Sequence, residues 1–163
     1  MEINETKIYN LISTIPDPEI PVLSIVELGM IRKVHIKGDN IIIDLTPTYT
    51  GCPATDMIKE DVVNCLKDNG YENVHINIVI DPPWNTDWIG EEARKKLKKY
   101  GIAPPEKSTL DKHNLMLEPD QVHCPRCDST HTKMLSFFGS TACKSLYKCL
   151  DCLEAFDYFK CHK

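Results

Sequence analysis

The chain lacks a basic excess: 19 Lys and Arg stand against 24 Asp and Glu, a net charge of -5 with a pI near 5.7. Such a balance does not neutralise a phosphate backbone or seat a protein on an anionic bilayer, so neither nucleic acid nor membrane is an expected partner. Also missing is any run approaching the ~18 apolar residues of a membrane span. Residues 1–5 are acidic and polar where a secretory leader is basic and then apolar. The expected compartment is the cytoplasm. There is no glycine-rich phosphate loop, no dinucleotide fingerprint and no helical carboxylate–histidine motif suited to a di-iron centre. No histidine or carboxylate is spaced to complete a nucleophile–base pair with a cysteine. No catalytic residue is assigned, and self-contained catalysis is not expected.

Cysteine is what the chain does have, eight in 163 residues. A cytoplasmic setting disfavours persistent disulfides, which leaves metal ligands and reactive thiols. Six of the eight (Cys124, Cys127, Cys143, Cys149, Cys152 and Cys161) crowd the last forty positions, whereas Cys52 and Cys65 stand alone before them. The asymmetry predicts a domain 1–103, a proline-containing linker 104–121 and a cysteine-rich module 122–163.

Within 1–103, Ile8, Leu11, Ile12 and Ile15 predict an amphipathic helix capped by Asn4 and ended by Pro16, followed by the rigid acidic turn Asp17-Pro18-Glu19-Ile20-Pro21. A helical turn around 24–28, a hairpin of 30–36 with 41–45 and a helix over about 54–69 behind Pro53 come next. A strand over 74–80 and a basic helix near 88–100 complete the domain. The order predicts an α+β fold, two layers with helices on one face of a small mixed sheet. Cys65 falls on the apolar face of the 54–69 helix and is expected in the core. Trp84 and Trp88 read equally as interface anchors and as core.

The spacing Cys124-x2-Cys127-x21-Cys149-x2-Cys152 places two CxxC knuckles at the ends of a β-rich stretch, so that four thiolates can converge on one ion. The module is therefore expected to be a zinc-ribbon-like β structure. Zn2+ in a structural role is favoured; thiolate ligands alone leave iron open. The residues that follow the knuckles, Asp128 and Leu153, stand where glycine often supplies a positive φ. Cys143, Cys161 and His162 are candidates for a second metal site, against packing of Cys143 as a small apolar residue. His113, His123 and His131 are assigned to the surface or to hydrogen bonding.

Cys52, between Gly51 and Pro53 just ahead of a helix, is the candidate reactive group, because helix-terminal amides and the helix dipole stabilise a thiolate and lower its pKa. An inert capping cysteine is an equal reading from position alone. Asp17 and Glu19 can reach it only through the fold.

Asp17-Pro18-Glu19-Ile20-Pro21, Glu27-Leu28-Gly29-Met30 and the segment from Thr46 to Pro53 resemble the SufT family of small iron–sulfur assembly domains, over roughly residues 5–103. That resemblance implies the same α+β fold and a reactive or ligating role for Cys52. The segment from Pro83 to Ile89, the Cys124-Pro125-Arg126-Cys127 knuckle and the stretches from Phe138 to Lys144 and Phe156 to His162 extend it. With them the whole chain resembles the family of D components of bacterial phenylacetyl-CoA epoxidase systems. This implies an accessory, non-catalytic component of a multicomponent oxygenase in phenylacetate degradation. Its partners would be the other epoxidase components, especially an iron–sulfur flavin reductase. The role read from it is transfer of a transient iron–sulfur cluster or iron through Cys52, Asp17 and Glu19, with docking by the ribbon. The rival is a stable structural component that handles no cluster. Homodimerisation stays open.

Overall fold

The computed structural model describes residues 3–106 and 121–160, and its contacts divide the chain into two compact units, Met1–Trp84 and Asn85–Lys163. In the first unit, helix α1 (Glu5–Ile12) starts where Asn4 Oδ1 accepts the Lys7 amide at 2.8 Å, satisfying a donor that a helix N-terminus leaves orphaned. It stops short of Ile15 because the hydroxyls of Ser13 and Thr14 donate to the carbonyls of Asn10 and Leu11. The acidic turn follows, held by Asp17: its Oδ1 accepts from the amides of Glu19 and Ile20, both at 2.8 Å. Ser24 and Glu27 then form a capping box on one turn, each amide donating to the other's side chain at 3.0 and 3.1 Å.

Strands β1 (Ile31–Lys37) and β2 (Asn40–Leu45) pair antiparallel through a two-residue turn in which Gly38 takes φ +60°. Helix α2 (Ala54–Asp68) leads into β3 (Asn73–Ile78), which pairs with β2 in parallel, so the mixed sheet has the order β1-β2-β3. α2 buries Ala54, Ile58, Val62 and Leu66, spaced four apart on one face, and β1 and β2 bury Val34, Ile41, Ile43 and Leu45. Each large aliphatic side chain taken out of water contributes about 1.5–3 kcal/mol. This is the α+β arrangement expected. Trp84 is core, 4% exposed with its indole N–H donating to Leu28 O at 2.8 Å. Cys65 sits at the rim of the core rather than within it, half-buried with Sγ 3.7 Å from Leu11 O.

The second unit begins with a 3-10 turn, Thr86–Trp88, and helix α3 (Glu91–Tyr100), which ends in left-handed Gly101 at φ +99°. Sequence pattern places a boundary after residue 103, whereas the contacts divide the chain at Trp84–Asn85. One feature attaches α3 to the C-terminal half: a two-residue strand, β4 (Ile102–Ala103), follows it directly and enters the C-terminal sheet. Buried Arg94 ties α3 to its own flanks, donating to the carbonyls of Thr86, Ile89 and Pro105. Two residues carry no periodicity, so β4 is invisible in the sequence. Most of the expected linker 104–121 lies outside the described residues.

Strands β5 (Thr132–Ser136), β6 (Lys144–Cys149) and β7 (Ala155–Phe159) form an antiparallel meander that β4 joins in parallel beside β7, in the order β4-β7-β6-β5. Ala103, Val122, Tyr147, Phe156 and Tyr158 bury together with Cys124 and Cys149. Tyr147 stacks on Phe156 at 6.0 Å and meets Tyr158 edge-on at 5.7 Å, so aromatic packing and the cysteine knuckles share one small core. Among the described residues no helix is long and apolar enough to cross a membrane.

Candidate metal centre and reactive cysteine

The first knuckle precedes β5 and the second joins β6 to β7, and the sheet brings them together. The sulfurs of Cys124, Cys127, Cys149 and Cys152 lie within 4.8 Å of one another, with Cys124–Cys152 at 3.7 Å and Cys127–Cys149 at 3.5 Å. A tetrahedral zinc–thiolate centre with bonds of about 2.3 Å has sulfur–sulfur edges of about 3.8 Å, so the cage is already of the right size for one four-coordinate ion. Four protein ligands leave no open position for substrate, the pattern of a structural site. The amides of Cys152 and Asp151 donate to the Cys149 sulfur and hold its thiol down to about 6. The Ser129 amide likewise pulls Cys127 down. Desolvation and its proton shared among the other sulfurs outweigh that and push it up to about 12. A dication held by Cys124, Cys127, Cys149 and Cys152 would take the place of those shared protons.

Both knuckles turn through the left-handed region at the residues the sequence singles out, Asp128 and Leu153, each at φ +65°. Asp128 is compensated by Lys98, 2.6 Å away. Leu153 is 66% exposed, and its apolar side chain can form no such pair. Leu153→Gly is therefore expected to raise the unfolding free energy by about 0.5–1 kcal/mol, read by urea denaturation, since left-handed geometry costs an L-residue about 1–2 kcal/mol. Asp128→Gly, which also loses the Lys98 pair, should gain less.

Clasps that the sequence did not reveal join the two knuckles: Ser129 Oγ donates to Asp151, His131 Nδ1 lies 3.0 Å from Asp151 Oδ1, and Arg126 meets Glu154 at 2.5 Å. Their partners are 20 or more residues apart, beyond any local spacing rule. His131 thus serves hydrogen bonding, as does His123, whose Nδ1 is 3.3 Å from Asp128 O. His113 lies outside the described residues, as do Cys161 and His162 of the candidate second site. Its remaining member, Cys143, is 2% exposed beside Thr141 Oγ1 at 3.0 Å.

In the first unit the loop 46–53 carries Cys52 from the end of β2 to the start of α2. Gly51 turns it at φ +80°, and the Cys52 carbonyl accepts the Thr55 amide at 3.1 Å. The thiol is not activated in the way its position suggests. It is 8% exposed, and desolvation pushes its pKa up. The Ala54 amide opposes this, the Glu19 carboxylate adds to it, and Tyr49 and Thr55 pull the other way without reversing it. The helix-terminus expectation is corrected here: amide stabilisation is present but smaller than the loss of water and a nearby negative charge. Of the acidic pair, Glu19 acts on Cys52, while Asp17, 5% exposed, shapes the turn that presents Glu19.

Compared with known proteins, residues 5–78 match the family model described as iron-sulfur cluster assembly protein, and residues 108–160 match the one described as PaaD zinc beta ribbon domain. The chain is 48% identical over 155 residues to an Escherichia coli protein described as the D component of 1,2-phenylacetyl-CoA epoxidase, covering 95% of this chain and 92% of that one. The chain belongs to the PaaD family of phenylacetyl-CoA epoxidase components. The four cysteines of the cage lie in the part matched to the PaaD ribbon, and Cys52 lies in the assembly-protein part. An Fe-S protein maturation auxiliary factor of Porphyromonas gingivalis is 38% identical over 97 residues, 57% of this chain and 90% of its own length. A crystal structure of a domain of unknown function (DUF59) from Bacillus anthracis, 32% identical, matches with a TM-score of 0.54 over 57% of this chain and 90% of that one. Both are too short to include a second unit of this size. The chain thus joins an assembly-type domain to a metal-binding ribbon.

Proposed function

We propose that this chain is a non-catalytic accessory component of a phenylacetyl-CoA epoxidase. Its first unit transfers iron or an iron–sulfur cluster to a partner through Cys52, and its second unit, closed by zinc, docks that partner. The iron–sulfur flavin reductase of the same system is the recipient we favour. The observation that carries the reading is the surroundings of Cys52. Its thiol is kept protonated by burial and by a carboxylate, and so is poor as a nucleophile. The same carboxylate favours a cation that displaces the proton. One thiolate with a carboxylate nearby would leave an iron incompletely coordinated, which suits cargo that must leave again. The match of this unit to iron–sulfur assembly proteins supports the same role.

The ligand exchange balances simply: ferrous ion enters, the S–H bond breaks, a proton leaves to water, and an Fe–S bond forms. Asp17 holds the turn, Glu19 supplies the charge and Cys52 the sulfur. Zinc in the ribbon supplies rigidity, and its four ligands, Cys124, Cys127, Cys149 and Cys152, take no part in the exchange.

Anaerobic Fe2+ titration of the zinc-loaded chain tests this. Since one proton is displaced, affinity should rise about tenfold per pH unit while the thiol remains protonated. Glu19→Gln should weaken binding roughly tenfold, a typical effect of removing a supporting carboxylate, and Cys52→Ser should abolish it. Binding that is indifferent to pH and survives Cys52→Ser would count against the reading. The burial of Cys52, at 8% exposure, favours the second reading, a structural component that handles no iron; in that case neither form binds Fe2+.

A further inference from the structure

The ribbon sheet ends in β5, whose second edge pairs with no strand among the described residues. Lys133 of β5 stands directly opposite Lys148 of β6, and the next residue in that row, across on β7, is Ala155. Like charges directly opposite one another destabilise a sheet, and neither lysine has an ion pair among the described residues. Three large apolar side chains are exposed along the same strand and the turn after it: Leu135 at 52%, Phe137 at 55% and Phe138 at 59%.

This surface is held rigidly. Lys160 Nζ lies 3.3 Å from the Phe137 ring centroid and 4.7 Å from that of Phe138, and also donates to Phe137 O. The two rings meet edge-on at 5.2 Å. Behind them the Gly139 amide donates to Lys144 O at 2.7 Å, Ser140 Oγ donates to Asp157 at 2.7 Å, and a Cβ on Gly139 would collide with the same carboxylate. Exposed aromatics fixed by polar contacts beneath them have little conformational freedom to lose on binding.

We infer that β5 and the turn after it form a docking strip for an extended segment of another epoxidase component, a segment that carries carboxylates among apolar residues. It adds as a fifth strand beside β5, its acids meeting Lys133 and Lys148 and its apolar side chains meeting Leu135, Phe137 and Phe138. A second copy of this chain is disfavoured, since it brings the same two lysines and no carboxylate in that row. Nucleic acid is disfavoured by the net charge of -5. The strip deepens the docking half of the proposed function, on which it rests, and is independent of Cys52.

The test uses the full zinc-loaded chain and the coexpressed remaining components of the epoxidase, with binding measured by sedimentation and surface capture at two salt concentrations. Lys133→Glu with Lys148→Glu, and separately Phe137→Ser with Phe138→Ser, should each weaken association about tenfold or more, the charge pair also removing most of its salt dependence. Both variants should keep stoichiometric zinc and wild-type Fe2+ binding, and Cys52→Ser should dock like wild type, so docking and metal transfer fail separately. If the phenylalanine pair perturbs the ribbon, the lysine pair, one exposed and one half-buried, still decides. Unchanged association in the lysine variant overturns the inference, as does a wild-type chain that binds no component. Self-association abolished by the same variants, or binding of an oligo-dT strand abolished by them, overturns it in favour of a second copy or of nucleic acid.

Discussion

Cys149→Ser is expected to leave the protein without stoichiometric metal and with its second unit unfolded. Cys149 is fully buried at the end of β6, where its side chain belongs both to the thiolate cage and to the aromatic core. Serine keeps the size but not the soft ligand, and three remaining thiols hold zinc far less well. Metal binding supplies on the order of 10 kcal/mol to small zinc-closed domains at neutral pH, comparable to the whole stability of many domains. The aromatic cluster around Tyr147 is too small to replace that. The variant should lose its tyrosine and phenylalanine shift dispersion for 122–160 in NMR spectra while the signals of α1, α2 and β1–β3 persist. Chelation of the wild-type chain should reproduce the same spectrum. A folded, metal-free ribbon of near wild-type stability would show that the cage is dispensable.

Sequence spacing makes the cage legible because four cysteines in two matched pairs constrain geometry strongly, and the positive φ of Asp128 and Leu153 follows from the same knuckle pattern. The α+β architecture is legible from period-2 alternation in β1–β3 and from the four-residue spacing of Ile58, Val62 and Leu66. What escapes is long-range or too short to have a period. β4 has two residues, yet its pairing with β7 is what draws α3 into the second unit, and the bonds of Arg94 to three carbonyls on the flanks of α3 follow no spacing rule. The Ser129–Asp151 and Arg126–Glu154 clasps span more than 20 positions. At Cys52 the sequence shows the amides of the coming helix but not the burial, nor the approach of Glu19, and these decide the direction of the thiol's shift.

Cys52→Ser is the second substitution with a large expected effect, and its effect is on function rather than on fold. Serine is close in size to cysteine, so the loop 46–53 and the cap contact from its carbonyl to the Thr55 amide should remain, with stability within about 1 kcal/mol of wild type. What disappears is the sulfur. A hydroxyl flanked by Glu19 binds a cation weakly and does not exchange a cluster sulfur-to-sulfur, so transfer should fall to background while zinc in the ribbon is untouched. Glu19→Gln should fall between the two, since it leaves the sulfur and removes the charge.

The most direct measurement is metal and acid-labile sulfide content after anaerobic coexpression with the reductase, on wild type and on Cys52→Ser, with the occupancy of the reductase cluster recorded in each. A cluster-transfer role centred on Cys52 predicts one zinc per chain in both forms, substoichiometric iron in wild type alone, and a poorly loaded reductase beside the variant. One zinc, no iron in either form and a fully loaded reductase beside both would contradict it.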